Sequence, residues 1–229
     1  MYVIFFLTIL VLTYLKKYIS TNIIMFFGNI FVILLPIIIL EKKINKKSLI
    51  DLLKNNKTIN IYLAFLIFLL SISLQFGLTY PTYLFIKNML NKPFNLSSPN
   101  FFILISSLII SPILEELLFR KIIFNNLLQY KSYYYSLIFS SLTFCLLHPN
   151  ISNLIPVFIL SLITGWIYFK TNNIFYSVIF HFGFNSSTFF INFLKNNGCY
   201  NDYFIYIFVF FFVFFGYKLY MNFKRFIYE

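Results

Sequence analysis

The sequence is poor in charge, and above all in negative charge. Only 10% of its 229 residues are charged and only six are Asp or Glu, whereas soluble proteins carry about 25% charged residues. Hydrophobic residues make up 60% of the chain, and its mean hydropathy is +0.84. Such a chain cannot cover its apolar residues with a polar surface, so lipid must solvate them. The composition therefore predicts an integral membrane protein and argues against a soluble globular domain.

Cysteine is also scarce. Cys145 lies within an apolar run and Cys199 lies near a predicted loop. Their number and spacing match neither a metal site nor a disulfide framework. We therefore expect both cysteines to serve packing only.

The 18 Lys and Arg residues give a formal net charge of +12. In a soluble protein this charge would suggest nucleic-acid binding. Here the basic residues lie mainly in loops and at helix ends, where they set topology and meet lipid headgroups. We expect membrane lipids as partners and no nucleic acid. Residues with AT-rich codons are abundant, which hints at a prokaryotic source.

Apolar runs separated by polar stretches predict an all-α, polytopic fold with about eight transmembrane helices. The first run has no preceding basic region or cleavage site, so we interpret it as a retained helix. The runs span residues 2–15, 21–40, 60–80, 100–119, 133–147, 153–169, 173–193 and 201–217. They suggest three parts: 1–99, with about three helices and a basic loop at 41–58; a core at 100–195; and 196–229, with a last helix and a basic tail.

An even number of helices places both termini on one side of the cell membrane. If that side is cytoplasmic, thirteen basic residues lie inside and five outside, as the positive-inside rule favours. Lys16 and Lys17, after the first run, count against this orientation. We predict a multi-pass protein with both termini cytoplasmic.

Two adjacent carboxylates interrupt an apolar run. Glu115 and Glu116 each cost about 2.5–3.5 kcal/mol at the centre of a membrane helix if ionised, so the pair indicates a functional site. Arg120, four residues after Glu116, shares its helix face and can neutralise it. Glu115, about 100° around the helix, has no such local partner. The other acidic residues lie at loops or ends: Glu41, Asp51, Asp202 and Glu229.

Both histidines of the chain lie in or at the end of apolar runs. His148 follows Phe144 by four residues, and His181 precedes Asn185 by four, so each pair shares a helix face. A lone membrane histidine is often only a helix–helix hydrogen-bonding group. Two histidines together with the only carboxylates inside apolar runs favour a site.

Helix geometry places two of these residues at one depth. If the chain turns at Lys131 and Ser132, Glu115 and His148 both lie about 24 Å from the turn. We therefore expect Glu115, His148, His181 and Asn185 to share one pocket. There a carboxylate and an imidazole can activate water, and a second imidazole with an amide can hold an oxyanion.

Three motifs occur in order on separate predicted helices. Together they resemble the CAAX prenyl protease and bacteriocin-processing family, also called the type II CAAX endopeptidases or abortive-infection family. Gly165-Trp166-Ile167-Tyr168 resembles its connector before the last motif, and the resemblance covers roughly residues 100–190. The motifs are Glu115-Glu116-x-x-x-Arg120, Phe144-x-x-x-His148 and His181-x-x-x-Asn185.

The resemblance implies an intramembrane endopeptidase acting on membrane-associated proteins or peptides, either CAAX-type or bacteriocin and leader substrates. Glu115, helped by His148, would be the general base on water, and His181 with Asn185 would stabilise the oxyanion. Three further residues would support the site: Glu116 and Arg120 through their ion pair, and Phe144 by packing beneath His148.

The family is often described as metal-dependent, which leaves two routes open. Glu115, His148 and His181 could ligate zinc. The H-E-x-x-H pattern is absent, and metal-free water activation uses the same residues, so we prefer the metal-free route.

Two other classes of function remain. The first is a non-catalytic membrane immunity or scaffold protein with the same fold. The second is a proton-coupled transporter, since Glu and His relays also occur there. No inverted repeat typical of transporters is visible, which disfavours the second.

Overall fold

The computed structural model describes residues 58–91, 101–148 and 150–228, together with 33–34 and 37–38. Every regular element in these ranges is helical, and side chains are described up to residue 224. Besides a short 3₁₀ turn, Ile151–Asn153, and the helical residues 33–34 and 37–38, the described residues from 58 onward form six helices. They are α1 (Ile61–Met89), α2 (Phe101–Tyr130), α3 (Tyr133–Leu146), α4 (Leu154–Thr171), α5 (Ile174–Asn196) and α6 (Tyr203–Tyr228).

The predicted all-α membrane fold is confirmed. Five of the described helices are long and apolar enough to cross a bilayer, while α3 is shorter. The protein is therefore a multi-pass membrane protein. The predicted run at 2–15, the run at 21–40 except residues 33–34 and 37–38, and all but the end of the basic loop at 41–58 lie outside the described residues. The count of eight helices and the three-part division remain predictions.

Cross-helix contacts give the direction of each helix in the bundle. The Asn60 backbone N–H donates to the Tyr176 hydroxyl (2.8 Å), and the Gln75 amide donates to Thr188 (2.9 Å). The later residue of α1 contacts the later residue of α5, so the two helices run parallel. Gly183 permits their close approach, because an added Cβ there would overlap the Ser71 hydroxyl.

Helix α3 is much shorter than the helix before it. α2 has 30 residues and α3 has 14, about 45 Å and 21 Å at 1.5 Å per residue. Only Lys131 and Ser132 separate them, so α3 runs back along α2 and ends near the level of Glu116. The first half of α2 therefore extends beyond α3, and space remains beside it within the bundle.

Candidate active site

The centre of the site is a fully buried ion pair within α2. Arg120 Nε donates to Glu116 Oε2 at 2.8 Å, and both side chains are 0% exposed. Arg120 Nη2 also donates to two hydroxyls of α4, Ser161 Oγ (2.9 Å) and Thr164 Oγ1 (2.6 Å). The expected pair is thus present, and it joins α2 to α4. The two hydroxyls were not predicted, although their three-residue spacing on an apolar helix is a signal for interhelical hydrogen bonding.

His181 of α5 lies between the two carboxylates. Its Nδ1 is 3.2 Å from Glu116 Oε1, and its Nε2 is 3.7 Å from Glu115 Oε2. An ionised carboxylate can only accept a hydrogen bond, so this contact assigns a proton to Nδ1. Glu115, which has no local partner on its own helix, thereby gains one from another helix. Glu116 contacts the histidine as well as Arg120, a link that sequence analysis missed.

The charges in this cluster balance only with one additional proton. If both were ionised, Glu115 and Glu116 would contribute two negative charges against the single positive charge of Arg120. Burying an uncompensated charge is costly. One additional proton, held by Glu115 or by His181, makes the cluster neutral, and the two atoms that can hold it, Glu115 Oε2 and His181 Nε2, lie 3.7 Å apart. Glu115 and His181 are therefore best treated as one coupled acid–base unit.

His148 follows the last turn of α3. Its Nδ1 lies 3.1 Å from the Phe144 carbonyl oxygen, which can only accept, so Nδ1 donates and Nε2 of the neutral ring carries the lone pair. The Phe144 ring packs 5.0 Å from the His148 ring and 5.9 Å from the His181 ring, centre to centre. Phe144 thus packs against both imidazoles, and its partly buried neighbour His148 keeps a proton-accepting nitrogen.

Asn185 stabilises a break in α2. Its Nδ2 donates to the Ser107 carbonyl oxygen at 2.7 Å. The helix there has π geometry, with the Ser111 N–H bonded to the Ser106 carbonyl. In this register Ser107 would accept from residue 112, but Pro112 has no N–H, and the amide of Asn185 supplies the missing donor. A primary amide has two N–H groups, so one remains for a ligand.

One cavity of about 570 Å³ connects the predicted residues. Glu115, His148, His181 and Asn185 all line it, and its volume falls within the range of ligand pockets. The structure thus brings together all four residues that the motifs singled out. Their catalytic roles remain predictions. The arrangement offers a carboxylate, two imidazoles and an amide to a bound peptide and a water.

The same residues do not form a metal site as they are arranged. Within the described parts of the chain, no three His, Cys, Asp or Glu side chains are grouped so that they could hold a metal ion. Nδ1 of His181 is bonded to Glu116 and Nδ1 of His148 to a carbonyl oxygen, so Nε2 is the nitrogen of each ring that could bind a metal. Glu115, His148 and His181 are thus not grouped as a zinc set among the described residues, and the metal-free and zinc routes both stay predictions.

Comparison with known proteins bears on the motif-bearing half of the chain. Residues 97–187 match the model of the family described as "Type II CAAX prenyl endopeptidase Rce1-like". The UPF0177 protein YxdF of Lactococcus lactis subsp. lactis (strain IL1403) is 43% identical over 74 residues, 32% of this chain and 40% of that protein. YdiL of Bacillus subtilis (strain 168), whose name proposes a membrane peptidase, is 30% identical over 83 residues, 36% of this chain and 34% of that protein.

The chain thus spans well under half the length of these two relatives. No solved structure matches it. The family match contains all three motifs, from Glu115 to Asn185. The resemblance predicted from those motifs is confirmed: over residues 97–187, this membrane protein is similar to the Rce1-like type II CAAX prenyl endopeptidases.

Proposed function

We propose that the protein is an intramembrane endopeptidase that hydrolyses peptide bonds of membrane-associated proteins or peptides with water activated by Glu115. One observation carries the proposal: His181 is held between Glu116 and Glu115 beside a cavity inside the helix bundle. A buried histidine flanked by carboxylates costs free energy to assemble, and general acid–base chemistry is a function that would retain it.

In the first step Glu115 takes a proton from a water in the cavity. The resulting hydroxide attacks the carbonyl carbon of the scissile peptide bond, and a new C–O bond forms. His148 assists by accepting a hydrogen bond from the same water through Nε2, because its Nδ1 is engaged by the Phe144 carbonyl. This division leaves the carboxylate as the base and the imidazole as the group that orients the water.

In the second step the negative charge on the former carbonyl oxygen is stabilised by hydrogen-bond donors. Protonated His181 donates through Nε2, and Asn185 donates through the N–H that is not bonded to the Ser107 carbonyl oxygen. Glu116, balanced by Arg120, is a positioning residue that keeps Nδ1 of His181 protonated. The tetrahedral intermediate collapses as the C–N bond breaks and Glu115 returns its proton to the leaving amine.

The substrate class follows from the position of the site. The cavity is lined by helices long enough to span a bilayer, so a substrate must be membrane-associated or apolar enough to enter from lipid. CAAX-type proteins and leader or bacteriocin peptides are both of this kind. The membrane lipids and this peptide are the partners that we propose.

The test compares the wild-type protein with Glu115→Gln. The amide keeps the volume of the side chain but cannot act as a base, so product formation should fall by about 10²–10⁴-fold while peptide binding changes little. Asp51→Asn makes the same chemical change in the basic loop 41–58 and should retain activity. The measurement is mass spectrometry of peptides released in membranes carrying each variant.

A fully functional Glu115→Gln variant would contradict the proposal. The protein would then act as a non-catalytic immunity or scaffold protein.

A further inference from the structure

The cavity extends well beyond the proposed catalytic residues. The cavity is lined by three residues of α5: His181, Thr188 and Asn192. It therefore extends along α5 for at least about 16 Å. On the α1 side, Tyr80 and Tyr83 line the same cavity. The extension runs past the end of α3, towards the C-terminal ends of α1 and α5.

Two lysines contact the tyrosines at this far end of the cavity. Lys87 Nζ donates to the Tyr83 hydroxyl oxygen at 3.2 Å, so the hydroxyl proton of Tyr83 is available to another acceptor. Lys195 Nζ lies 5.1 Å from the ring centres of both Tyr80 and Tyr200. The Tyr80 side chain is 3% exposed, and its hydroxyl has no hydrogen-bond partner among the described residues.

The chemistry of this end suits an anion. Lys87 and Lys195 bring positive charge to this end, and Asp202, which acts on Lys195 and Tyr80, brings negative charge. Tyrosine hydroxyls backed by ammonium groups are hydrogen-bond donors, and charge-assisted hydrogen bonds are about twice as strong as neutral ones.

The distance between the two ends sets the length of peptide that would connect them. Gln75 of α1 is level with Thr188 of α5, and Tyr83 lies eight residues further along. His181 lies seven residues before Thr188. With 1.5 Å per residue, His181 and Tyr83 are separated by about 22 Å along the bundle. An extended chain of about six or seven residues spans that length.

We propose that Tyr80, Tyr83, Lys87 and Lys195 form an anion subsite for the peptide substrate. It binds a carboxylate, from either an acidic side chain or a chain terminus, about six or seven residues from the bond that is cut. The inference rests on the proposed function, because it places the scissile bond at Glu115 and His181.

The binding test uses the full-length Glu115→Gln protein in detergent, so that no peptide is cleaved. Fluorescent apolar twelve-residue peptides, either neutral or with one Glu, are compared by anisotropy. The peptide with Glu should bind about 10- to 100-fold more tightly. Tyr83→Phe and Lys87→Gln, each combined with Glu115→Gln, should reduce this preference without weakening the neutral peptide. Lys131→Gln is the matched control, because Lys131 also lies over a tyrosine ring (5.7 Å from the Tyr135 ring centre), but Tyr135, unlike Tyr83, does not line the cavity.

The cleavage test uses the wild-type protein and moves the Glu one residue at a time. The bond that is cut should move with it, at a constant separation of about six or seven residues. A neutral peptide with a free C-terminal carboxylate, compared with its amide, separates the two sources of the anion. A preference for the free acid assigns the terminus, and a preference only for Glu peptides assigns the side chain.

Equal binding of neutral and acidic peptides would overturn the anion subsite, as would an equal loss of preference in Lys131→Gln. A cut that stays in place when the Glu moves would also overturn it. Acid-dependent binding without cleavage of any peptide by the wild-type protein would leave the subsite standing and contradict the proposed endopeptidase.

Discussion

Replacing Arg120 with Met should destabilise the protein because it strands a buried carboxylate. Arg120 and Glu116 are both fully buried, and removing one partner of a buried pair costs about 3–5 kcal/mol. Glu116 retains the hydrogen bond from His181, so the lower part of this range applies. Domains are stable by only about 5–15 kcal/mol, and a loss of about 3 kcal/mol should lower both the unfolding temperature and the amount of protein in membranes.

The double variant Arg120→Met with Glu116→Gln separates this cause from lost packing. Neutralising the stranded carboxylate should restore part of the stability, so the two changes should couple by about 1–3 kcal/mol. Thermal unfolding of purified protein in detergent measures both variants, with the exposed Lys131→Met as the control. An Arg120→Met variant as stable as the wild type would refute the reasoning, and so would two strictly additive changes.

Three further outcomes are expected. Asn185→Ala should lower turnover by about 10²–10³-fold through loss of an oxyanion donor. Asn126→Ala also removes an amide bonded to a backbone carbonyl of α2 (2.8 Å) and should not lower turnover. Equal losses in peptide-cleavage assays would point to helix stability alone. Gly183→Ala should cost about 1–3 kcal/mol of stability by overpacking, because the added Cβ would overlap the Ser71 hydroxyl and lie 2.9 Å from Phe68. An unchanged unfolding temperature would contradict the tight α1–α5 contact. Peptide hydrolysis should persist in saturating chelator, while loss of activity followed by rescue with Zn²⁺ would establish the zinc route.

Sequence analysis predicted the features that depend on local geometry or on composition. The membrane class and the positions of the described helices follow from apolar runs, which lipid requires to be helical. The Glu116–Arg120 pair also follows from sequence, because residues four apart on a helix are neighbours. The common depth of Glu115 and His148 follows from helix rise and the short turn at Lys131.

Tertiary structure alone decided which faces of the helices meet. The hydrogen bond from His181 to Glu116 joins residues 65 apart, and that from Asn185 to Ser107 joins residues 78 apart. Helix rotation about its own axis determines such contacts. Apolar periodicity cannot predict that rotation here, because lipid is as apolar as the bundle interior and the helices are apolar on every side. The position of His181 between two carboxylates could therefore be read only from the folded bundle.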